Sequence, residues 1–130
     1  MNKIRKYGLI VIKNKRLLVN RKFNTELFLM PGGKPIEHET IEQCLSRELK
    51  EEHNVEITNI EYFNEYEDLA ANEENTIILM RLYLGEVSGE VIINTEIEEL
   101  KWIGKDDDLN CLSPIIKNKI FPDLIEKKKI

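Results

Sequence analysis

Cysteine is scarce in this chain, and its scarcity excludes two structural strategies. Only two are present, Cys44 and Cys111, far apart and without a CxxC spacing, so neither a disulfide framework nor a thiolate zinc site has a basis. Free cysteines of this kind are ordinarily reduced and buried. Long apolar runs are also lacking: no stretch reaches the roughly 18 residues that a membrane-spanning helix needs, so no membrane partner is expected. The first apolar run, Tyr7–Ile12, follows a basic opening, but it is too short for a signal-peptide core and is cut at once by Lys13. A cytoplasmic location is the expectation. An excess of positive charge is missing as well. With 19 Lys+Arg against 24 Asp+Glu, the formal charge of −5 weighs against a nucleic-acid polymer as partner, because phosphate-backbone binding depends on clustered lysine and arginine. The one compact basic run, Lys127–Lys129, reads as a solvated tail. An acidic chain is better suited to a small phosphorylated ligand held through a divalent cation.

What is present is a globular balance of 42% hydrophobic and 33% charged residues over 130 positions. That length fits one domain, 1–130, and hides roughly 65–70% of the unfolded surface. Tyr7–Ile12 and Arg16–Val19 are β-prone runs split by Lys13-Asn14-Lys15, which predicts a hairpin, and Leu27–Met30 is a third candidate strand. Pro31-Gly32-Gly33 then punctuates the chain. Thr40-Ile41-Glu42-Gln43 is a capping box that starts a helix, and Asn54 is suited to the left-handed conformation just past its end. The β pattern resumes in part of Val55–Tyr66, in Thr76–Leu84, in Glu90–Ile93 and in Glu98–Ile103. Glu65–Asn75 is polar enough for a mobile loop, and Asp106–Asp108 is a turn. Ser113-Pro114 supplies an N-cap and first-turn proline for a second helix through about Ile120. The sum is a mixed sheet with two main helices, an α/β (α+β) sandwich.

The helix over residues 40–54 carries the most information. At about 100° per residue, Cys44, Leu45 and Leu49 fall within about 80° of Ile41 and mark the packed face. Glu48, Glu52 and Glu51 fall at about −20°, +20° and −80° on the same wheel, so three carboxylates point toward the core side. Gln43, Ser46, Lys50 and His53 are left for solvent. These acids also crowd the C-terminal half of the helix, where the macrodipole and their own i, i+3 and i, i+4 repulsion disfavour them. Charges placed against local preference need a partner, and hard carboxylate oxygens suit Mg²⁺ or Mn²⁺. Arg47 can reach Glu51 at i+4 and hold a carboxylate in one orientation. Gly32-Gly33, in front of the helix, lets the backbone come close to a ligand and could bring a carbonyl to the metal and amides to a phosphate.

From Gly33 to Val55 the sequence reads GKPIEHETIEQCLSRELKEEHNV. It resembles the Nudix box, G-x5-E-x7-R-E-U-x-E-E-x-G-U, through Gly33, Glu39, Arg47, Glu48, Leu49, Glu51, Glu52 and Val55. Asn54 stands where that family has glycine, and His38 replaces a glycine common before the first glutamate. The flanks, Phe28–Lys34 and the Glu-rich strand ending in Trp102, are similar to the smaller MutT-type members. The resemblance implies a Nudix α/β/α sandwich and a Mg²⁺-dependent attack of water on a phosphorus of a diphosphate linkage. It further implies Glu51 and Glu52 as metal ligands, Glu48 as a ligand or the base, Arg47 as an orienting residue, Glu39 as a support, and the Gly32 carbonyl in the metal shell. Family members often recruit one more downstream acid; alternation does not select among Glu96, Glu98 and Glu99, and Glu98 is taken as the ligand.

Specificity lies largely outside the box. ADP-ribose-cleaving members often have a proline about fifteen residues past it, and dinucleoside-polyphosphate hydrolases a tyrosine nearby, whereas Ala70, Ala71 and Asn72 stand here. Elimination leaves a (deoxy)nucleoside triphosphate cleaved to monophosphate and pyrophosphate, with nucleotide sugars and ADP-ribose as alternatives. Phe23, Phe28, Tyr83 and Trp102 are candidates to stack on a base, and Arg21, Lys22, Gly33, Lys34 and Arg81 to meet the substrate. His38 and His53 read as surface residues. A Nudix-fold nucleotide sensor would be free to lose box carboxylates that this sequence retains, and an RNA-binding scaffold would need a basic face it lacks. The sequence fixes no oligomeric state, although homodimers are the commonest oligomers and occur in the family.

Overall fold

The computed structural model describes all 130 residues. The elements are β1 (Asn2–Ile10), β2 (Ile12–Lys13), β3 (Arg16–Lys22), β4 (Gly32–Gly33), α1 (Ile41–His53), β5 (Glu56–Leu69), β6 (Thr76–Ser88), β7 (Ile97–Ile103), and a π-helical turn, Ile116–Ile120, running into α2 (Phe121–Glu126). They form a four-stranded mixed sheet, β4-β1-β6-β5, and a three-stranded sheet, β2-β3-β7. β1 and β6 are parallel over nine residues, from Asn2↔Thr76 to Ile10↔Leu84, while β5 runs antiparallel to β6.

Both faces of this β layer are covered, which explains the unbroken apolar stretch at its centre. Leu9, Val11, Leu18 and Tyr83 pack with Leu45 and Leu49 of α1. Ile10, Leu17, Val19 and Leu82, their neighbours in sequence, pack on the other face with Ile116, Ile120, Phe121 and Leu124. Alternation of side chains along each strand sends successive residues to opposite helices, so the architecture is the mixed-sheet α/β/α sandwich expected.

Four details correct the expectations. The hairpin joins β2 to β3 through Asn14 and Lys15, both at positive φ. β1 instead crosses to the other sheet. Leu27–Met30 is not a strand, because its backbone divides its bonds: Leu29 pairs with Asn20, and Phe28 with Cys111 and Ser113. Glu65–Leu69 extends β5 rather than forming a loop. Glu90–Ile93 is not a strand either; this segment folds over the end of α1, where Ile92 N–H donates to the His53 carbonyl and Asn94 N–H to that of Glu52. Helix-end carbonyls that would lack partners are thereby satisfied.

The second helix continues past Ile120 to Glu126. Pro122 has no N–H to give the preceding turn, and the helix widens there, with Phe121 N–H reaching Ile116 five residues back. Ser113 stands at the expected N-cap by its backbone, its carbonyl accepting from Lys117 N–H. Its hydroxyl caps nothing: it is the one buried side-chain polar atom without a partner. No helix is long and apolar enough to cross a membrane.

Candidate active site

The start and end of α1 are fixed by the residues the sequence singled out. Thr40 Oγ1 accepts from Gln43 N–H at 3.1 Å, and Gln43 Oε1 accepts from Thr40 N–H at 2.9 Å. Asn54 closes the helix in the left-handed conformation, φ 55° and ψ 42°, as its glycine-like place in the motif requires. Between these caps the helix presents Arg47, Glu48 and Glu52 to a cleft of about 440 Å³, within the size range of small-molecule sites.

Arg47 organises one wall. Its guanidinium forks onto Glu39, Nε to Oε2 at 2.7 Å and Nη2 to Oε1 at 2.9 Å, while Nη1 donates to Glu48 Oε1 at 2.9 Å. Nη2 also donates to the Lys34 carbonyl at 3.1 Å. Glu39 is held in turn by Ile36 N–H at 2.9 Å, and Arg47 keeps its carboxyl below the usual range. Glu39 therefore stands behind Arg47, outside the cleft, and fixes the arm that orients Glu48.

Two glycines shape this wall. Gly32 has φ +138°, and a Cβ there would lie 2.1 Å from the Tyr7 carbonyl oxygen. A Cβ on Gly33 would lie 2.5 Å from Glu48 Oε1, so the carboxylate occupies the space a side chain would take. Gly32 N–H donates to Glu52 Oε1 at 3.1 Å.

Glu52 is only 8% exposed. Burial, with Glu48 beside it, pushes its carboxyl up to about 8 against the opposing pull of the Gly32 N–H, Lys22 and Lys6. A carboxylate in such a place is strongly favoured by an added cation. In the rotamers present, Glu48 is turned onto Arg47, and Glu51 lies at the outer edge, its side chain 59% exposed and 3.7 Å from Arg47. No three acids converge at once. The oxygen donors of Glu48, Glu51, Glu52 and the Gly32 carbonyl nevertheless suit a hard divalent ion, and the buried Glu52 supplies the demand for one.

Seven residues expected in the site line this cleft: Lys22, Gly32, Gly33, Lys34, Arg47, Glu48 and Glu52. Others do not. Arg21 lies on the face of β3 opposite Asn20 and Lys22; it pairs with Glu98 at 2.6 Å and Glu99 at 3.3 Å and covers the Phe28 ring. Glu98 is thus taken up by Arg21 away from the cleft. Phe28 is a core residue. Arg81 sits on the α1 side of β6, paired with Glu65 and stacked over Tyr62, whereas Ile78 and Met80 face the cleft. No aromatic lines it, so none of the four stacking candidates is placed to stack there.

His53, expected at the surface, is fully buried. Its Nδ1 meets the Ile92 carbonyl at 2.7 Å and its Nε2 the Asn20 amide at 3.0 Å. Burial holds it below its usual range, so it is neutral and braces Asn20 at the cleft wall. Cys44 is buried and its thiol is pushed up to about 11, which suits a packing role. Sequence reasoning missed Lys6, Asn20 and Ser113, all of which line the cleft. A signal for Lys6 existed: it alternates with Ile4, Gly8 and Ile10 on a face that is otherwise apolar or small.

Comparisons with known proteins identify the family and match the fold. A sequence model of the NUDIX domain matches residues 3–121, and the chain belongs to the Nudix family. It is 33% identical over 69 residues to the NAD-capped RNA hydrolase NudC of Vibrio vulnificus (strain CMCP6), a match covering 53% of this chain and spanning 25% of that protein. In fold it is similar to a MutT NUDIX hydrolase from Burkholderia pseudomallei, with TM-score 0.75 and 20% identity over 90% of this chain and 95% of that one. It is likewise similar to the E. coli ORF135 protein, with TM-score 0.74 and 24% identity over 98% and 94% of the two chains.

Proposed function

We propose that this chain is a Mg²⁺- or Mn²⁺-dependent hydrolase that cleaves a diphosphate bond in a nucleoside diphosphate linked to another group. Its proposed substrate is a (deoxy)nucleoside triphosphate, released as monophosphate and pyrophosphate. The observation that carries this reading is Glu52, a carboxylate buried against the Gly32 N–H at the wall of a lysine-bearing cleft. An anionic substrate and a cation-demanding carboxylate meet there, which is what phosphoryl chemistry by positioning and charge neutralisation requires. A bound divalent ion would neutralise phosphate charge and acidify water. Glu51, Glu52 and the Gly32 carbonyl are the groups to hold it, and Glu48 is left to act as the base.

The chain's own residues then have distinct tasks. Lys22 and Lys34 face the phosphates. Arg47, locked by Glu39, holds Glu48 in place to accept the proton of the attacking water. A water oxygen bonds to the phosphorus on one side of the α–β bridge as the bridging P–O bond breaks, and the group on the other side, pyrophosphate or the nucleoside monophosphate, departs with those electrons. The absence of aromatics from the cleft lining is consistent with base binding by apolar side chains such as Ile78 and Met80.

The test is a product-resolved screen with Mg²⁺ over nucleoside triphosphates, nucleotide sugars, ADP-ribose, NAD and dinucleoside polyphosphates. Formation of monophosphate plus pyrophosphate from a triphosphate supports the substrate assignment. Cleavage of another class alone overturns that assignment and retains the hydrolase. Silence of the folded protein across the panel, with tight nucleotide binding, would replace catalysis by sensing.

A further inference from the structure

Three lysines enter the cleft, Lys6, Lys22 and Lys34, and none of them is in a salt bridge or a side-chain hydrogen bond. Elsewhere Lys3, Lys50 and Lys127 each pair with a carboxylate, and unpaired lysines such as Lys13, Lys105 and Lys119 are exposed to water. Convergence of unpaired cations is unexpected in a chain of net charge −5. Lys6 is the least expected of the three. It is half-buried, on the face of β1 shared by Ile4 and Gly8, beside Met80 of β6 in the parallel register. A lysine there sits among apolar neighbours, where methionine or isoleucine would pack without cost.

Its electrostatic surroundings add to the strain. Burial and the like charges of Lys22 and Lys34 lower its basicity, while Glu73 at the rim and Glu52 only partly oppose them. A cation kept in such a place without a carboxylate contact is stabilised by an anion that arrives with the ligand.

We infer that Lys6, together with Lys22 and Lys34, forms a polyphosphate-binding wall that makes Lys6 a specificity-determining residue for substrates carrying a terminal anionic phosphate. A nucleoside triphosphate places additional charge against this wall, whereas the outer group of a nucleotide sugar is neutral. This deepens the triphosphate reading above and rests on it for the identity of the natural substrate. The binding claim itself needs no turnover.

Calorimetry in EDTA tests it on the whole chain, with inorganic tripolyphosphate and UDP-glucose as probes and with Lys6→Met and Lys6→Arg as variants. Charge-assisted bonds of this kind correspond to about tenfold to hundredfold in affinity. Lys6→Met should weaken tripolyphosphate binding by about that factor and leave UDP-glucose within about twofold, and Lys6→Arg should stay near the parent. Lys6→Met removes an unpaired half-buried charge, so its urea midpoint should equal or exceed the parent's, which separates lost binding from lost folding. The inference is overturned if the parent does not bind tripolyphosphate, if Lys6→Met binds it as the parent does, or if both probes weaken equally. A screen without turnover would remove the hydrolase reading and leave this result to stand or fall alone.

Discussion

Glu52 makes the metal-free protein sensitive to pH in a direction opposite to most carboxylates. Its folded-state value of about 8 lies above the ordinary 4.5, so between those two values the unfolded chain has released a proton that the native protein retains. Stability contributed by this group is therefore full below about pH 4.5 and is lost as pH rises toward 8 and beyond. The whole displacement amounts to up to about 5 kcal/mol, and the part falling between pH 5.5 and 8.5 to about 3 kcal/mol. That is a large fraction of the margin of a small domain. Urea unfolding in EDTA at these two pH values measures it, with Glu52→Gln as the reference that cancels every other titrating group. His53, held neutral by burial, contributes with the opposite sign: its folded value is depressed, so stability is gained as pH rises through its range. The reference protein contains it too. Wild type should lose about 3 kcal/mol more than Glu52→Gln on going from pH 5.5 to 8.5. Mg²⁺ should restore more stability at pH 8.5 than at 5.5, because it binds the ionised form. Equal pH slopes for the two proteins would refute the reasoning.

Three further outcomes follow from the geometry. Gly33→Ala puts a methyl group where the Glu48 carboxylate lies, 2.5 Å from Oε1, so turnover should fall at least about tenfold while circular dichroism is unchanged. Glu98→Gln should leave turnover within about threefold of the parent, because Glu98 is held by Arg21 outside the cleft; a loss by orders of magnitude would return it to the site. In urea unfolding, Asn54→Gly should raise the unfolding free energy slightly, by less than about 1 kcal/mol, since φ 55° suits glycine at no steric cost, and Asn54→Val should lower it by more than that.

The central helix was legible because its features are local. Thr40 and Gln43 cap each other three residues apart, Asn54 closes the end by its own backbone preference, and Glu48 and Glu52 fall on the packed arc by helical geometry alone. Glu51, at the edge of that arc, came out exposed, as its larger angle from the apolar centre allows. His53 was misread because its burial depends on a segment about forty residues away, Val91–Asn94, folding across the helix end. Arg21, Glu98 and Arg81 lie away from the cleft for a related reason. Their strands are real, but which face meets the cleft is decided by sheet pairing, and a side-chain period of two leaves that choice open in a sequence. Phe28 went to the core when its segment was shared between β3 and the stretch before the second helix. Lys6 was visible as a break in an apolar alternation, and its meaning depended on knowing that Lys22 and Lys34 converge on the same cleft.

The most direct test of the account is turnover of the best triphosphate substrate by wild type and by Glu52→Gln, each measured with EDTA and then with Mg²⁺ in excess. The account predicts that wild type is silent in EDTA and recovers fully with Mg²⁺, while folded Glu52→Gln is silent in EDTA too and stays slower than wild type by orders of magnitude with Mg²⁺ in excess. A Glu52→Gln protein that turns over at the wild-type rate, or a wild type indifferent to EDTA, would contradict it.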